Sequence, residues 1–220
     1  MNNPFTIIGF GDSLTYGYGV LEETAYPYRL SKDLPFLYSE IKWNIINSGI
    51  NGHTSEDAVN RLPMSVLHRK PQIVFILFGS NDSAFHEGQY CTPAAYEKNM
   101  QYILERILSC KTGHPFQNGR PLPVLLTPPS MVDTDFYPFT TNDRLALYGD
   151  VVKKLAEKYQ LPCIDLFAAY QSIKKEDDYE ACFQFDGIHL SNRGYEVLYD
   201  LILQKTKEII EPYAESLQKA

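Results

Sequence analysis

An open parallel sheet with helices on both faces is the fold class this sequence predicts, and three observations predict it. Short β-branched and aromatic runs recur at Phe5–Gly9, Trp43–Asn47, Ile73–Phe78, Val124–Thr127 and Pro162–Leu166, each long enough for a strand and too short for a buried helix. These runs are apolar without alternation, as in strands covered on both faces. Longer segments of helical period lie between them, and strand followed by helix, repeated about five times, argues for right-handed crossovers within one sheet.

Each element has its own signal. Phe5–Gly9 leads into "GDSLTYG" from Gly11 to Gly17, and Trp43–Asn47 into "NSGINGHTS". Thr54-Ser55-Glu56-Asp57 then opens a helix with capping chemistry, which Pro63 must kink or end. Ile73–Phe78 leads into "FGSNDSAF". Tyr96, Met100, Ile103, Leu104 and Ile107 form one helical stripe; Leu145, Tyr148, Val151, Val152 and Leu155 form another. Val197, Leu198, Leu201, Ile202 and Ile209 form a third, with Ser191 as its N-cap. Lys111–Pro123 and Pro128–Thr141 read as loops. The second leaves the carboxyl end of a strand, where open α/β sheets bind ligands, so Phe136, Tyr137 and Phe139 either wall a pocket or pack against the body of the protein.

Composition narrows the function classes. With 220 residues, 44% of them hydrophobic, and no break in composition, residues 1–220 read as one domain with a sizeable core. A net charge of -7 and no basic run beyond His68-Arg69-Lys70 argue against a nucleic-acid partner. The apolar run Ile73–Phe78 is far below the roughly 18 residues of a membrane span, and "MNNPF" lacks the charged and apolar regions of a signal peptide, so no stable membrane insertion and a cytoplasmic location are expected. Cys91, Cys110, Cys163 and Cys182 show no C-x-x-C spacing, and His53, His68, His86, His114 and His189 show no ligand spacing. Free thiols and no metal are expected.

Ser13 falls at the carboxyl end of the first strand, where a sheet presents functional groups. Three readings compete for it: a helix N-cap, part of a phosphate-cradling loop, or a nucleophile. Far along the chain, "QFDGIHLSNRGYE" sets Asp186 three residues before His189. A serine hydroxyl attacks only when a base takes its proton, and that base needs an acceptor to hold its tautomer; Asp-x-x-His on one turn supplies both. Gly52 offers a backbone N–H without side-chain cover and Asn81 a neutral amide donor, the groups that stabilise an oxyanion. Asp12 and Asp82, beside Ser13 and Asn81, read as structural hydrogen-bonding residues, since adjacent side chains in a turn point apart.

The blocks "GDSLTYG", "NSGINGHTS", "GSND" and "DGIHLS", in this order from Phe5 to about Ile210, resemble the GDSL or SGNH hydrolases. That resemblance implies a flavodoxin-like three-layer α/β/α sandwich with a central parallel sheet of about five strands. It also implies Ser13 as nucleophile and oxyanion donor, Asp186 and His189 as its partners, Asn81 as the side-chain donor and Gly52 as the backbone donor, with Gly49 the competing glycine. "FGSNDSAF", "LLTPP" and "DGIHLSNRGYEVL" are similar to the isoamyl acetate-hydrolysing esterase branch, which implies a small-molecule ester with a short acyl chain and no cofactor. Ser80 stands where relatives often carry Gly or Ala, and His53 where several carry Asp or Glu. Tyr16, Phe85, Tyr137 and Ile188 are candidate acyl-pocket walls by proximity to the motifs, with core packing as the equal alternative. Thioesterases, lysophospholipases and carbohydrate deacetylases use the same blocks, and a flavodoxin-like phosphate-binding module is the competing class, although it leaves Asp186 and His189 without a role.

Overall fold

The computed structural model describes residues 4–174 and 178–218, so the opening Met1–Asn3 of "MNNPF" lies outside the described residues. Five parallel strands, β1 (Phe5–Gly11), β2 (Trp43–Gly49), β3 (Ile73–Leu77), β4 (Leu122–Leu126) and β5 (Cys163–Ile164), form one sheet in the order β2-β1-β3-β4-β5. Among the described residues seven α-helices accompany it: α1 (Ser13–Tyr16), α2 (Tyr26–Leu37), α3 (Ser55–Ser65), α4 (Pro93–Leu108), α5 (Asn142–Tyr159), α6 (Leu166–Ile173) and α7 (Asn192–Gln218).

Alternation along the strands separates two cores. Phe5 and Ile7 of β1, Phe75 of β3 and Val124 of β4 join residues of α2, α6 and α7 on one face. Ile8 and Phe10, Val74 and Ile76, and Leu125 join α3, α4 and α5 on the other. Both faces are therefore apolar, which is why the strands read as unbroken runs. β2, at the sheet's edge, is only partly buried.

The α4 stripe is buried in full. In α5, Leu145, Tyr148, Val152 and Leu155 are buried with Val151 packed against them. In α7, Leu198 and Ile202 are buried while Val197, Leu201 and Ile209 pack at the margin, and the fully buried line continues through Thr206 and Ile210. Ser191 Oγ accepts from the Gly194 N–H at 3.3 Å, the bond expected of an N-cap. Thr54 and Asp57 close a reciprocal capping box on α3, and that helix runs only two residues past Pro63.

The fifth strand is shorter than the apolar run Pro162–Leu166 predicts. Asp165 Oδ1 accepts from Ala168 N at 3.0 Å and caps α6, so Leu166 belongs to a helix. The strand order reverses direction around β1 and β3, the switch point at which open α/β sheets form their ligand crevice. Ser13, Gly52 and Asn81 follow the carboxyl ends of β1, β2 and β3, three neighbouring strands.

Candidate active site

β1 ends at Gly11, and the chain turns directly into α1, a single four-residue turn. Asp12 precedes it and its Oδ1 accepts from Leu14 N at 2.9 Å, so the cap is Asp12 and Ser13 is the first helical residue. Gly49, at the end of β2, lets this turn sit against the sheet: a Cβ there would lie 2.2 Å from Tyr16 N. From behind, Tyr195 of α7 donates its hydroxyl to Leu14 O at 3.1 Å.

His189 and Asp186 sit on a tight turn closed by an antiparallel bridge between Phe183 and Leu190. Gln184 N donates to His189 O at 2.7 Å and Gly187 N to Gln184 O at 2.9 Å. Asp186 Oδ1 accepts from Ile188 N at 3.1 Å and His189 N at 3.0 Å, while Oδ2 lies 2.6 Å from His189 Nδ1. His189 Nε2 is 3.1 Å from Ser13 Oγ. Ser13, His189 and Asp186 are thus hydrogen-bonded in series, with the hydroxyl only 7% exposed as part of its residue. Burial alone would raise the Asp186 carboxyl; the bonds from the His189 ring and from the two N–H groups outweigh it and hold its pKa below the ordinary 3.8.

Asn81 Nδ2 donates to His53 O at 2.9 Å, which brings its amide beside Gly52. Gly52 has φ of 76°, and its N–H donates to no acceptor among the described residues. The Gly49 N–H is already given to Asn47 Oδ1 at 3.0 Å. Of the two glycines, Gly52 is the one with an N–H to offer.

Two buried carboxyls lie under this site. Asp82 accepts from Ser55 N and Ser55 Oγ, fixing the start of α3 where the Gly52 loop enters it, and burial pushes its pKa up to about 6 against those bonds. Asp12 is pushed up to about 7, chiefly by burial, opposed by the Leu14 N–H and raised further by Asp82. Its Oδ2 has no hydrogen-bond partner among the described residues.

The pocket candidates divide. Tyr137 is half-buried, with its ring 5.3 Å from Phe139, and burial followed by the charges of Asp12 and Asp186 raises its pKa. Ile188 is buried in the turn that carries His189, and Tyr16 is exposed on α1. Phe85 is exposed, and its ring meets the Arg144 guanidinium at 3.2 Å and Tyr90 at 4.6 Å rather than Ser13 or His189. Phe136 pairs edge-on with Phe185 at 5.5 Å.

The loop over 128–141 is stitched to both sides of the site. Val132 N donates to Gly187 O and Thr134 Oγ1 to Asp186 O, each at 2.9 Å. At its other end, Thr140 Oγ1 lies 2.8 Å from Ser83 Oγ, and Phe85 N donates to Phe139 O at 2.7 Å. Sequence reasoning did not find Thr134, Gln184 or Tyr18, whose ring lies against His189 at 4.4 Å. "YGYG" holds two tyrosines among glycines, with no periodicity to say which one meets a histidine.

The GDSL-like lipase/acylhydrolase family model matches residues 10–197, a stretch that includes all five of Ser13, Gly52, Asn81, Asp186 and His189. The chain belongs to this family. It is 25% identical over 219 residues to the isoamyl acetate-hydrolyzing esterase of Saccharomyces cerevisiae, covering 93% of this chain and 87% of that protein. It is 31% identical over 178 residues to the acetylxylan esterase of Geobacillus stearothermophilus, covering 78% and 76%. The crystal structure of the lipase/acylhydrolase from Enterococcus faecalis superposes with a TM-score of 0.74 at 28% identity, over 93% of this chain and 96% of that one. The GDSL-family chain is a carboxylic ester hydrolase. Its four cysteines are free thiols, and among the described residues no helix is long and apolar enough to cross a membrane and no His, Cys, Asp or Glu cluster could hold a metal ion.

Proposed function

We propose that the protein cleaves esters of short-chain carboxylic acids through an acyl-enzyme on Ser13. The observation that carries this reading is the hydrogen-bonded series from Ser13 Oγ through the His189 ring to Asp186. His189 takes the serine proton, Oγ attacks the ester carbonyl, and the oxyanion gathers the N–H groups of Ser13, Gly52 and Asn81. Asp186 keeps the imidazole in the required tautomer and balances the cation, after which His189 protonates the departing alcohol. Water then attacks the acyl group by the same route and frees Ser13.

Short acyl chains are supported by the relatives, two of which are named for acetate esters. A cytoplasmic site of action suits the four free thiols. The test is a rate profile on p-nitrophenyl esters of increasing acyl length, with Ser13→Ala as control. Rates should peak at the shortest chains, and Ser13→Ala should lose about 10⁴-fold or more in kcat. Undiminished hydrolysis by that variant overturns the mechanism, and a peak at long chains overturns the substrate class. Asn81→Ala should cost on the order of 10²–10³ in kcat if its amide faces the oxyanion.

A further inference from the structure

We propose that Tyr18 is a positioning residue for His189, lying against one face of the imidazole to hold its plane and to stabilise the imidazolium, with Gln184 as the strut that keeps it there. This rests on the reading of His189 as the base.

The His189 ring is held at its two nitrogens, by Asp186 on one side and Ser13 on the other. Both bonds act at the edge of the ring, and neither touches its face. A contact on the face limits how far the ring can tilt out of line. The Tyr18 ring supplies it, with centroids 4.4 Å apart and planes inclined by 40°. An aromatic face within about 6 Å also attracts a cation, and the imidazole becomes one each time it takes a proton, from Ser13 and later from water.

Tyr18 is well placed because its backbone is tied to both halves of the site. Its N–H donates to Ser13 O at 3.1 Å, and its carbonyl accepts from Gln184 Nε2 at 2.8 Å. The same Nε2 donates to Leu190 O at 2.9 Å, and the Gln184 backbone N–H donates to His189 O. The Gln184 amide therefore joins the loop after α1 to the turn that carries His189. Tyr18 remains 44% exposed, so its side chain can be exchanged without opening the core.

The His189 cation forms both when Ser13 attacks the ester and when water attacks the acyl-enzyme, whereas a wall that merely touches the alcohol acts only in the first step. Single turnovers with enzyme in excess over p-nitrophenyl acetate separate the steps: p-nitrophenolate release reports acylation, and quenched mass spectrometry of the acyl-enzyme reports its loss. Tyr18→Leu should slow both by about tenfold, and Tyr18→Phe, which keeps the ring, should restore both to within about twofold of the unaltered protein. Loss confined to acylation, equal loss in Tyr18→Phe, or both rates of Tyr18→Leu within about twofold of the unaltered protein overturns the proposal. The strut is tested by a cycle: in a Gln184→Leu background, Tyr18→Leu should cost less than about threefold, and a full tenfold cost there overturns it. Ser13→Ala run alongside keeps the two readings apart. If it still forms acyl-enzyme at the unaltered rate, the esterase mechanism fails whatever Tyr18 does.

Discussion

The turn that carries Ser13 and the turn that carries His189 are built from different materials. The first is wedged between strands and helices: Asp12, Ser13, Leu14 and Thr15 are all buried, Gly49 presses against Tyr16 N, and Asp12 Oδ2 is left without a partner among the described residues. The second lies nearer the surface, with Asp186 and His189 partly exposed, and is held by bonds from Gln184, Ile188, Val132 and Thr134. Close packing positions Ser13 and hydrogen bonding positions His189, the proposed nucleophile and base. The two should fail differently when altered.

The largest effect tests whether they nevertheless act as one unit. Ser13→Ala and His189→Ala should each lower kcat by about 10⁴–10⁶, and the double variant should be no slower than either. Rates that multiply would mean independent contributions. Next comes packing: Gly49→Ala puts a Cβ on the backbone of α1, and we expect a loss of about 3 kcal/mol and a Tm lowered by roughly 6–12 °C. An unchanged Tm in calorimetry would show that α1 can move aside.

Asp12 adds a pH signature to the buried turn. Its folded pKa of about 7 lies above the ordinary 3.8, so from pH 4 to 7 the folded protein keeps a proton that the unfolded chain has released. Stability from this site falls as pH rises through that window and stays lost above it. Asp12→Asn should match the unaltered protein in urea unfolding near pH 4 and exceed it at pH 8 by on the order of 2 kcal/mol. An equal difference at both pH values would mean that Asp12 is not the group titrating. The smallest effect belongs to the exposed turn. Thr134→Val removes one bond to Asp186 O, and about 1 kcal/mol of stability with a roughly threefold lower kcat is expected. No change in either would leave Val132 and Gln184 as the effective ties.

The same division explains what could be read from the sequence. Apolar runs such as Ile73–Phe78 and the α4 stripe declared themselves because burial on both faces leaves only one kind of residue. Leu166 misled because an apolar residue after Cys163–Ile164 serves a helix start as well as a strand, and only the Asp165 cap decides between them. The family was legible from the blocks that hold Ser13, Gly52, Asn81, Asp186 and His189, in their order. Tyr18, Gln184 and Thr134 were not, since each matters through what it meets across the fold rather than through its neighbours in the chain. That the Gly49 N–H is taken up by Asn47 Oδ1 was not legible either, since no spacing encodes that bond.

The Ser13–His189 bond spans 176 residues, and the Tyr195 hydroxyl that backs α1 comes from the last helix. A growing chain can form β1 and its turn early, yet Ser13 meets His189 only when the turn before α7 docks. On the proposed mechanism the hydroxyl is until then an ordinary alcohol, harmless to esters around it. Appearance of esterase turnover during refolding would therefore time the final docking of the C-terminal helix more directly than any change in helix content.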